Sequence, residues 1–545
     1  MGAYRLSWGI LPVLLLGLTV APNIAANHDV VVYGGTSAGV TASVQASRMG
    51  LRTVLIEPSA HIGGLSSGGL GATDIGNKQV IGGLAREFYR RVKQHYDQPE
   101  AWNRQPRETY QNPRHTPGDD AMWTFEPHVA EQIFRDMLRE AGVELIHGER
   151  LRRPNGVVKI ENRIEAIIME SGRRFSGKIF IDTTYEGDLM AATGITFRIG
   201  RESEHEYGET LNGNRPALAI HHQLIPGVDP WIIPGNPASG LLPGIENAGT
   251  GEDGAGDHRV QAYNLRLCFT DDPDNRLPVE KPAGYNDLDY ELLFRNFEAG
   301  ETHVPWHLVP MPNRKTDINN NLGVSTDLIG GSWTWAEADY TERERLYRRH
   351  LEYVQGLIWT LANHPRVPET VRQIVSQWGP CRDEFTENGG WPTQLYVREA
   401  RRMVSDMVMT QHHCEGKEVV PDSVGMAAYT MDSHHVRRYV DASGHVRNEG
   451  DVQVGGFPPY PISWRAIRPK REECVNLLVP VCLSATHIAY GSIRMEPVFM
   501  VLGQSAATAA ALAVQSGENP VLQDVNYSVL KKQLLADGQI LTGSS

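Results

Sequence analysis

Cysteine is scarce in this sequence, and its spacing excludes the usual metal and redox motifs. The 545 residues contain five cysteines, none in a C-x-x-C pair: Cys268, Cys381, Cys414, Cys474 and Cys482. Neither zinc-type Cys/His spacing nor the H-E-x-x-H pattern occurs, so the sequence predicts no metal site. Five thiols would permit at most two disulfides, although burial as free thiols is the simpler expectation for most of them.

Long basic runs are also missing, which argues against nucleic acid as a partner. The chain has 52 Lys and Arg against 65 Asp and Glu, a formal net charge of -13. Proteins that bind phosphate backbones show basic stripes instead. With 41% hydrophobic and 21% charged residues, the composition is that of a globular protein. A chain of this length exceeds one ordinary core, so we expect two joined lobes.

A hydrophobic run near the N-terminus has the layout of a secretory signal peptide. Arg5 precedes the apolar residues 10–20, and the small residues Ala25 and Ala26 follow them. We therefore assign residues 1–26 to a signal peptide and expect a secreted or periplasmic protein. The run is short and contains a proline, so a retained membrane anchor is the weaker alternative, and we expect no stable membrane span after signal removal.

Directly after this run, the sequence contains a strand, a glycine-rich turn and a helix. Residues 29–33 predict a buried strand, residues 34–39 read Gly-Gly-Thr-Ser-Ala-Gly, and residues 40–49 predict a helix. A second apolar strand, residues 51–56, ends at Glu57. Such a β-α-β unit is typical of dinucleotide sites, because glycines let a pyrophosphate approach the N–H groups at a helix N-terminus. We predict that Glu57 accepts the ribose hydroxyls.

Two features refine the expected ligand. Thr36 replaces the second glycine of the usual G-x-G-x-x-G pattern, and its hydroxyl could donate to a phosphate oxygen. A second glycine cluster, residues 61–71, follows Glu57 almost at once. This length of glycine-rich chain suits a cofactor longer than a nicotinamide dinucleotide.

These residues resemble the FAD-dependent oxidoreductases related to fumarate-reductase-type flavoproteins. Further similar segments at residues 181–189, 260–268, 395–403, 484–497 and 503–511 extend the resemblance over most of the chain. The resemblance is specific for FAD and says little about the substrate. The residues that we assign to the FAD site are Gly34, Gly35, Thr36, Ser37, Ala38, Gly39, Glu57, Pro58, Gly63, Gly64, Leu65, Ser66, Gly69, Arg494 and Met495.

The C-terminal part of the chain predicts an apolar strand over residues 476–483 and an alanine-rich helix over residues 495–514. In similar flavoproteins the start of this helix faces the pyrimidine edge of the flavin, where its positive end stabilises the reduced ring. Arg494 would add to that field, or would instead pair with a surface acid. His61 leaves covalent attachment of FAD open, but noncovalent binding is the expectation.

Pattern and resemblance together predict an α/β fold. It consists of a discontinuous Rossmann-like FAD-binding domain and a large inserted α+β lobe that forms the substrate or cap region. We assign residues 27–72, 123–201 and 460–545 to the FAD-binding domain, and residues 73–122 and 202–459 to the inserted lobe.

Catalysis at a flavin requires a C–H bond placed over the ring and one group that moves a proton. His434 and His435 lie shortly before the chain returns to the FAD-binding domain, and we predict that one of them takes this proton. Asp432 would orient the imidazole. The alternatives are structural histidines and an aspartate that caps a turn.

Residues 394–411 have helical periodicity, which would place several arginines on adjoining turns. Arg398 and Arg401 are therefore candidates to clamp a carboxylate or a sugar acid. The alternative is ion pairing with a neighbour such as Glu399 or Asp406.

The leading prediction is an exported FAD-dependent oxidoreductase that acts on an unidentified small organic substrate, with a carbohydrate derivative as one candidate, and uses an unidentified electron acceptor. One alternative is a polysaccharide-processing lyase or hydrolase with a structural flavin, although no segment shows a distinctive lyase arrangement. The other alternative is a non-catalytic binding protein. Flavin absorbance, and its bleaching by a substrate, would distinguish these three classes of protein.

Overall fold

The computed structural model describes residues 28–116 and 118–543, and the predicted signal peptide lies outside the described residues. Strands and helices alternate along the chain. The strands are β1 (His28–Tyr33), β2 (Thr53–Glu57), β3 (Glu144–His147), β4 (Val157–Ile160), β5 (Arg163–Ile168), β6 (Arg174–Asp182), β7 (Phe197–Arg198), β8 (Leu267–Thr270), β9 (Trp306–Met311), β10 (Lys315–Asn320), β11 (Gly379–Pro380), β12 (Arg402–Met403), β13 (Ser423–Ala427), β14 (Met431–Ser433), β15 (Arg437–Val440), β16 (Val446–Glu449), β17 (Val452–Val454), β18 (Tyr460–Ser463) and β19 (Leu477–Leu478). The helices are α1 (Ser37–Arg48), α2 (Gly83–Tyr96), α3 (Pro127–Ala141), α4 (Asp188–Ala192), α5 (Glu204–Tyr207), α6 (Glu291–Glu298), α7 (Tyr340–Asn363), α8 (Glu369–Val375), α9 (Gln411–Cys414), α10 (His487–Ile493), α11 (Glu496–Gln515) and α12 (Tyr527–Ala536).

The predicted FAD-binding domain contains a seven-stranded sheet of order β3-β2-β1-β6-β5-β4, and β19 also pairs with β6. Four strand pairs in this sheet are parallel: β1 with β2, β1 with β6, β2 with β3, and β19 with β6. The first part of β6 continues instead into an antiparallel pairing with β5. The predicted α/β class and the Rossmann-like domain are confirmed. Ligands of such open sheets bind beyond the carboxyl ends of the parallel strands.

α1 and α11 pack closely because small residues face each other. A Cβ atom on Gly503 would collide with the carbonyl oxygen of Ala38. The hydroxyl of Thr41 donates a hydrogen bond to the Met500 carbonyl at 2.8 Å. α11 is also long and apolar enough to cross a membrane, with a mean hydropathy of 1.6, but 89% of that stretch is buried inside the protein. Its apolar character therefore serves the core here.

The residues of the predicted inserted lobe form an antiparallel sheet of order β11-β8-β10-β9, together with α6, α7 and α8. Four two-stranded pairs complete the strands of the described residues: β12 with β7, β13 with β18, β14 with β17, and β15 with β16. The predicted boundaries between the lobes stay a prediction. Two elements from the predicted inserted lobe, α2 and β13, pack against α11 of the predicted FAD-binding domain.

The helix predicted over residues 394–411 is wrong. This segment runs mainly as extended chain and turns, with β12 as its only regular element before α9 begins. Its arginines do not share one helix face, because different buried carboxylates bind them. Arg398 pairs with Asp327, and Arg401 pairs with Asp188. Tertiary ion pairs therefore override the local helical pattern.

We expect Gly503→Val to lower the free energy of unfolding by about 1–3 kcal/mol, because the new side chain would push α11 away from α1. Urea denaturation measures this change. Gly284→Ala is the control, because no atom lies within 4 Å of a Cβ atom there. Equal stability of the parent and Gly503→Val would contradict close packing of the two helices.

Candidate cofactor and active site

Two adjoining cavities lie where β1 and β2 end. Their volumes are about 440 and 240 Å³, and Thr36, Glu57 and Gln394 line both of them. Pro58 lines the larger one. A cavity of about 930 Å³ lies near the other end of α1, around Arg48, but it touches neither glycine cluster. The two smaller cavities therefore match the predicted nucleotide site.

The first glycine turn is shaped by close contacts within the chain. Gly34 has a φ of +105°, and a Cβ atom on Gly39 would collide with the Gly34 carbonyl oxygen. Thr36 caps α1: its Oγ1 accepts a hydrogen bond from the Gly39 N–H at 3.3 Å and donates one to the Thr183 carbonyl at 2.8 Å. The hydroxyl is therefore not free to donate to a phosphate, contrary to the prediction. The cap also starts α1 three residues earlier than predicted.

Glu57 lies at the end of β2, where the β-α-β pattern places the ribose-binding acid. Its carboxylate accepts hydrogen bonds from the Gly35 N–H at 2.5 Å and the Ser59 N–H at 2.7 Å. Burial nevertheless raises the pKa of Glu57. The carboxylate therefore lies directly beside the first glycine turn and lines both cavities.

The second glycine cluster lies against the first. The Gly63 N–H donates to the Gly35 carbonyl at 2.7 Å, and Gly64 has a φ of +55°. A Cβ atom on Gly64 would collide with the hydroxyl of Tyr185, which also accepts a hydrogen bond from the Leu65 N–H at 2.8 Å. The glycines here bring the two turns and this tyrosine together. Gly69, further along, packs in the same way against the carbonyl oxygen of Arg266.

Glu496, which the sequence analysis missed, joins both glycine clusters to α11. Its buried carboxyl accepts hydrogen bonds from Ser37 Oγ at 2.6 Å, Ser66 Oγ at 3.1 Å and the Tyr185 hydroxyl at 2.7 Å. Burial raises the pKa of Glu496. Met495 immediately before it is the buried N-cap residue of α11. The N-termini of α1 and α11 therefore meet at this one carboxyl.

This arrangement fits FAD. The first N–H groups of α1 have no acceptor within the helix, and they lie beside a turn of glycine and small residues. The first turn, from Gly34 to Gly39, would hold the diphosphate, and Glu57 would hold the ribose. The second cluster and the start of α11 would lie along the remainder of the cofactor.

His61 is held between two carboxylates, which bears on the mode of FAD attachment. Its Nδ1 lies 3.1 Å from Glu131 and its Nε2 lies 2.9 Å from Glu387. The hydrogen bond with Glu131 raises the pKa of His61. Both ring nitrogens of His61 thus contact carboxylates within the chain, and noncovalent binding stays a prediction.

His434 has the arrangement of a proton-transfer residue. Its Nδ1 lies 2.8 Å from Asp327 Oδ2, whereas its Nε2 lies 3.5 Å from Asp432 Oδ2, beyond ordinary hydrogen-bond length. Burial and Arg398 act against the imidazolium, but the two aspartates outweigh them and raise the pKa of His434. Asp327 thus orients the ring, a role that the sequence analysis gave to Asp432. No local pattern identified Asp327.

His435 lies in a different environment. Its Nε2 lies 3.1 Å from the carbonyl oxygens of His221 and His222, and its Nδ1 accepts a hydrogen bond from the Asp451 N–H at 3.3 Å. Burial lowers its pKa to about 3. Both ring nitrogens bind backbone groups, so the structure supports the structural alternative for this histidine.

The two candidate arginines are separated. Arg398 lies 2.9 Å from Asp327, the partner of His434, whereas Arg401 lies 3.1 Å from Asp188. Arg343, at 2.6 Å, also pairs with Asp188. Arg401 therefore pairs with neither Glu399 nor Asp406, and the two arginines do not clamp one ligand. Only Arg398 belongs to the His434 cluster.

Arg494 connects this cluster to the start of α11. It lies 3.0 Å from Asp432 Oδ2 and donates a hydrogen bond to the Tyr396 hydroxyl at 3.0 Å. Asp432 is therefore the acid that pairs with Arg494, and this ion pair is largely buried rather than on the surface. Burial acts to raise the pKa of Asp432, but the positive charges of His434 and Arg494 outweigh it and lower this pKa to about 2.

The buried ammonium group of Lys315 lies beside the smaller cavity. Glu126, His128 and Glu384 place their ligand atoms within 4.8 Å of one another. Lys315 lies 2.9 Å from Glu126 and 2.6 Å from Glu384. Its ammonium therefore supplies the positive charge that these carboxylates require.

The sequence matches the family described as FAD dependent oxidoreductase over residues 29–534. Because this match spans nearly the whole chain, the protein belongs to that family. FAD as the cofactor and oxidoreductase activity, both predicted from the sequence, are thereby confirmed. The closer link to fumarate-reductase-type flavoproteins stays a prediction.

Several solved structures match the chain at low identity. A geranylgeranyl bacteriochlorophyll reductase-like protein from Thermoplasma acidophilum shares 13% identity over 94% of this chain and 84% of that chain, with a TM-score of 0.34. The flavin-dependent brominase Bmp2 shares 9% identity over 94% of this chain and 84% of that chain, with a TM-score of 0.38. A flavin monooxygenase from Stenotrophomonas maltophilia shares 14% identity over 29% of this chain and 38% of the monooxygenase chain, with a TM-score of 0.19. No curated protein matches the sequence.

We expect Glu57→Ala to weaken FAD binding roughly tenfold or more, because a charged hydrogen-bond acceptor for the ribose is lost. Fluorescence titration of the apoprotein with FAD measures the dissociation constant. Glu170→Ala, an exposed acid beyond β5, is the matched control. Unchanged affinity in Glu57→Ala would remove this residue from the site.

The Asp327–His434 pair also predicts a pH dependence of stability. Because the pKa of His434 is raised in the folded protein, the stabilisation is complete below about 6.5, the unfolded value, and is lost as the pH rises through the folded pKa. The loss in free energy of unfolding caused by Asp327→Asn should therefore be larger at pH 6 than at pH 9.

Urea denaturation at both pH values measures this difference. Asp524→Asn is the control, because Asp524 forms an exposed pair with Arg471 that lacks a histidine. A loss at pH 9 equal to or larger than that at pH 6 would contradict the pairing of Asp327 with a protonated His434.

Proposed function

We propose that this protein is an exported oxidoreductase in which FAD exchanges a hydride at N5 with a small organic substrate, and in which His434 moves the accompanying proton. The observation that carries the proposal is the orientation of His434. Asp327 holds Nδ1 at 2.8 Å, which leaves Nε2 without an ordinary hydrogen bond among the described residues. During oxidation a hydroxyl group of the substrate would give its proton to Nε2 of the neutral imidazole, which is the form present above the raised pKa of His434.

The position of His434 relative to α11 supports the same role. Asp432 lies between the histidine and Arg494, and Arg494 is two residues before Glu496, the first residue of α11. Because similar flavoproteins place the start of this helix at the flavin ring, the imidazole would lie on the substrate side of the ring. Asp432 stays ionised near neutral pH and keeps Arg494 in place.

The same cluster contains hydrogen-bond donors suited to an oxygen-rich substrate. Arg398 Nε, Arg494 Nε and Gln261 Nε2 are buried, and none has a hydrogen-bond partner in the described part of the chain. Buried donors of this kind are costly unless a ligand satisfies them. Hydroxyl or carboxylate oxygens would do so, which supports a carbohydrate derivative or a sugar acid as the substrate. The signal-peptide pattern supports export.

The test is to purify the protein, release the bound cofactor by denaturation and identify it by chromatography. Sugar derivatives are then added anaerobically to the native protein, and bleaching of the flavin absorbance identifies a substrate. We expect noncovalent FAD and bleaching by at least one hydroxylated compound. A lack of any flavin would contradict the proposal, and flavin that no candidate bleaches would favour a binding protein.

We expect His434→Asn to slow flavin reduction by roughly 10²- to 10⁴-fold while FAD stays bound, because proton transfer is lost and the FAD contacts are not. Stopped-flow absorbance measures the rate with the substrate found in the screen. His205→Asn is the control, since the side chain of His205 is 88% exposed. Parent-like rates in His434→Asn would refute the proton-transfer role.

A further inference from the structure

We propose that Cys268 and Cys381 form a disulfide bond in the exported protein. The two residues are separated by 113 positions in the sequence, yet their sulfur atoms lie 3.7 Å apart in the interior of the inserted region. The other three cysteines have different neighbours. This pairing is therefore specific, and the bond would covalently link two distant parts of the chain.

The strand register places the two cysteines opposite each other. In the antiparallel pair of β8 and β11, Gly379 is opposite Thr270 and Pro380 is opposite Phe269. The next pair in that register is Cys381 and Cys268, whose backbones are joined by a hydrogen bond from the Cys381 N–H to the Cys268 carbonyl at 3.3 Å. Directly opposite residues have Cα atoms about 4.5–5.5 Å apart, within the range that a disulfide spans.

The remaining cysteines are engaged elsewhere. Cys474 and Cys482 belong to the hydrophobic cluster around the seven-stranded sheet, whereas Cys268 and Cys381 form a small cluster with Met311. Cys482 Sγ lies 3.3 Å from the carbonyl oxygen of Tyr185. The five cysteines thus comprise one candidate disulfide pair and three separate thiols.

The bond must form before the region closes. Both cysteines are fully buried in the folded chain, and burial raises the pKa of the Cys268 thiol, which suppresses the reactive thiolate. During folding, a thiolate of one cysteine would attack the disulfide of an oxidising protein, and the second cysteine would displace that protein. The two cysteines lose two electrons and two protons, and the oxidising protein is released as a dithiol.

The disulfide would also act on the candidate cofactor site. Cys381 lies two residues before the segment 383–387, which lines the smaller cavity next to His61 and Gly64. The bond would fix the start of this segment to β8. A closed loop of this length also restricts the unfolded chain, so the reduced protein should unfold at a lower temperature.

The experiment produces residues 27–545 behind a host leader in an oxidising compartment and, in parallel, in a reducing cytosol. Each sample is denatured without reductant in iodoacetamide, and alkylated cysteines are counted by mass spectrometry. We expect three of the five cysteines to react in the oxidised sample and all five in the reduced one. A peptide linking Cys268 to Cys381 should appear only in the first. This readout does not depend on flavin chemistry or on the natural location of the protein.

Two variants complete the test. Cys414→Ser should retain the linked peptide, whereas Cys268→Ser with Cys381→Ser should lose it and leave its three remaining thiols free. Reductant should lower the unfolding temperature of the parent and of Cys414→Ser, but not that of the double variant. Five reactive thiols in the oxidised parent, or a link between any other two cysteines, would overturn the proposal.

Discussion

The buried carboxyl of Glu496 is the contact on which the architecture of the site depends. Three hydroxyl groups from separate parts of the chain, those of Ser37, Ser66 and Tyr185, donate hydrogen bonds to it. Without these donors, burying the carboxyl would be costly. The contact brings the first glycine turn, the second glycine cluster and the first residue of α11 to one point. These are the three segments that we assign to the FAD site.

From that point the structure continues into the candidate catalytic cluster. Arg494, next to α11, binds Asp432, and Asp432 lies beside His434. Asp327 holds the other side of the histidine ring. A short series of buried ion pairs thus joins the candidate cofactor site to the candidate proton-transfer site. A shift of α11 would therefore move both sites together.

The sequence correctly predicted those elements that a local residue pattern determines. The first β-α-β unit and α11 follow from apolar runs, glycine positions and small residues that are contiguous in the chain. Glu496 and Asp327 were missed because their roles depend on residues far away in sequence. The false helix over residues 394–411 has the same origin, since arginine spacing indicates a helix while distant carboxylates select an extended path. His434 and His435 could not be distinguished without knowing which backbone groups surround each ring.

The most direct test of the account is a crystal structure of the protein with bound FAD. The account predicts the diphosphate within hydrogen-bond distance of the N–H groups at the start of α1, the ribose at Glu57, and the isoalloxazine ring between the start of α11 and His434. FAD bound in the cavity near Arg48, or a ring remote from His434, would contradict it.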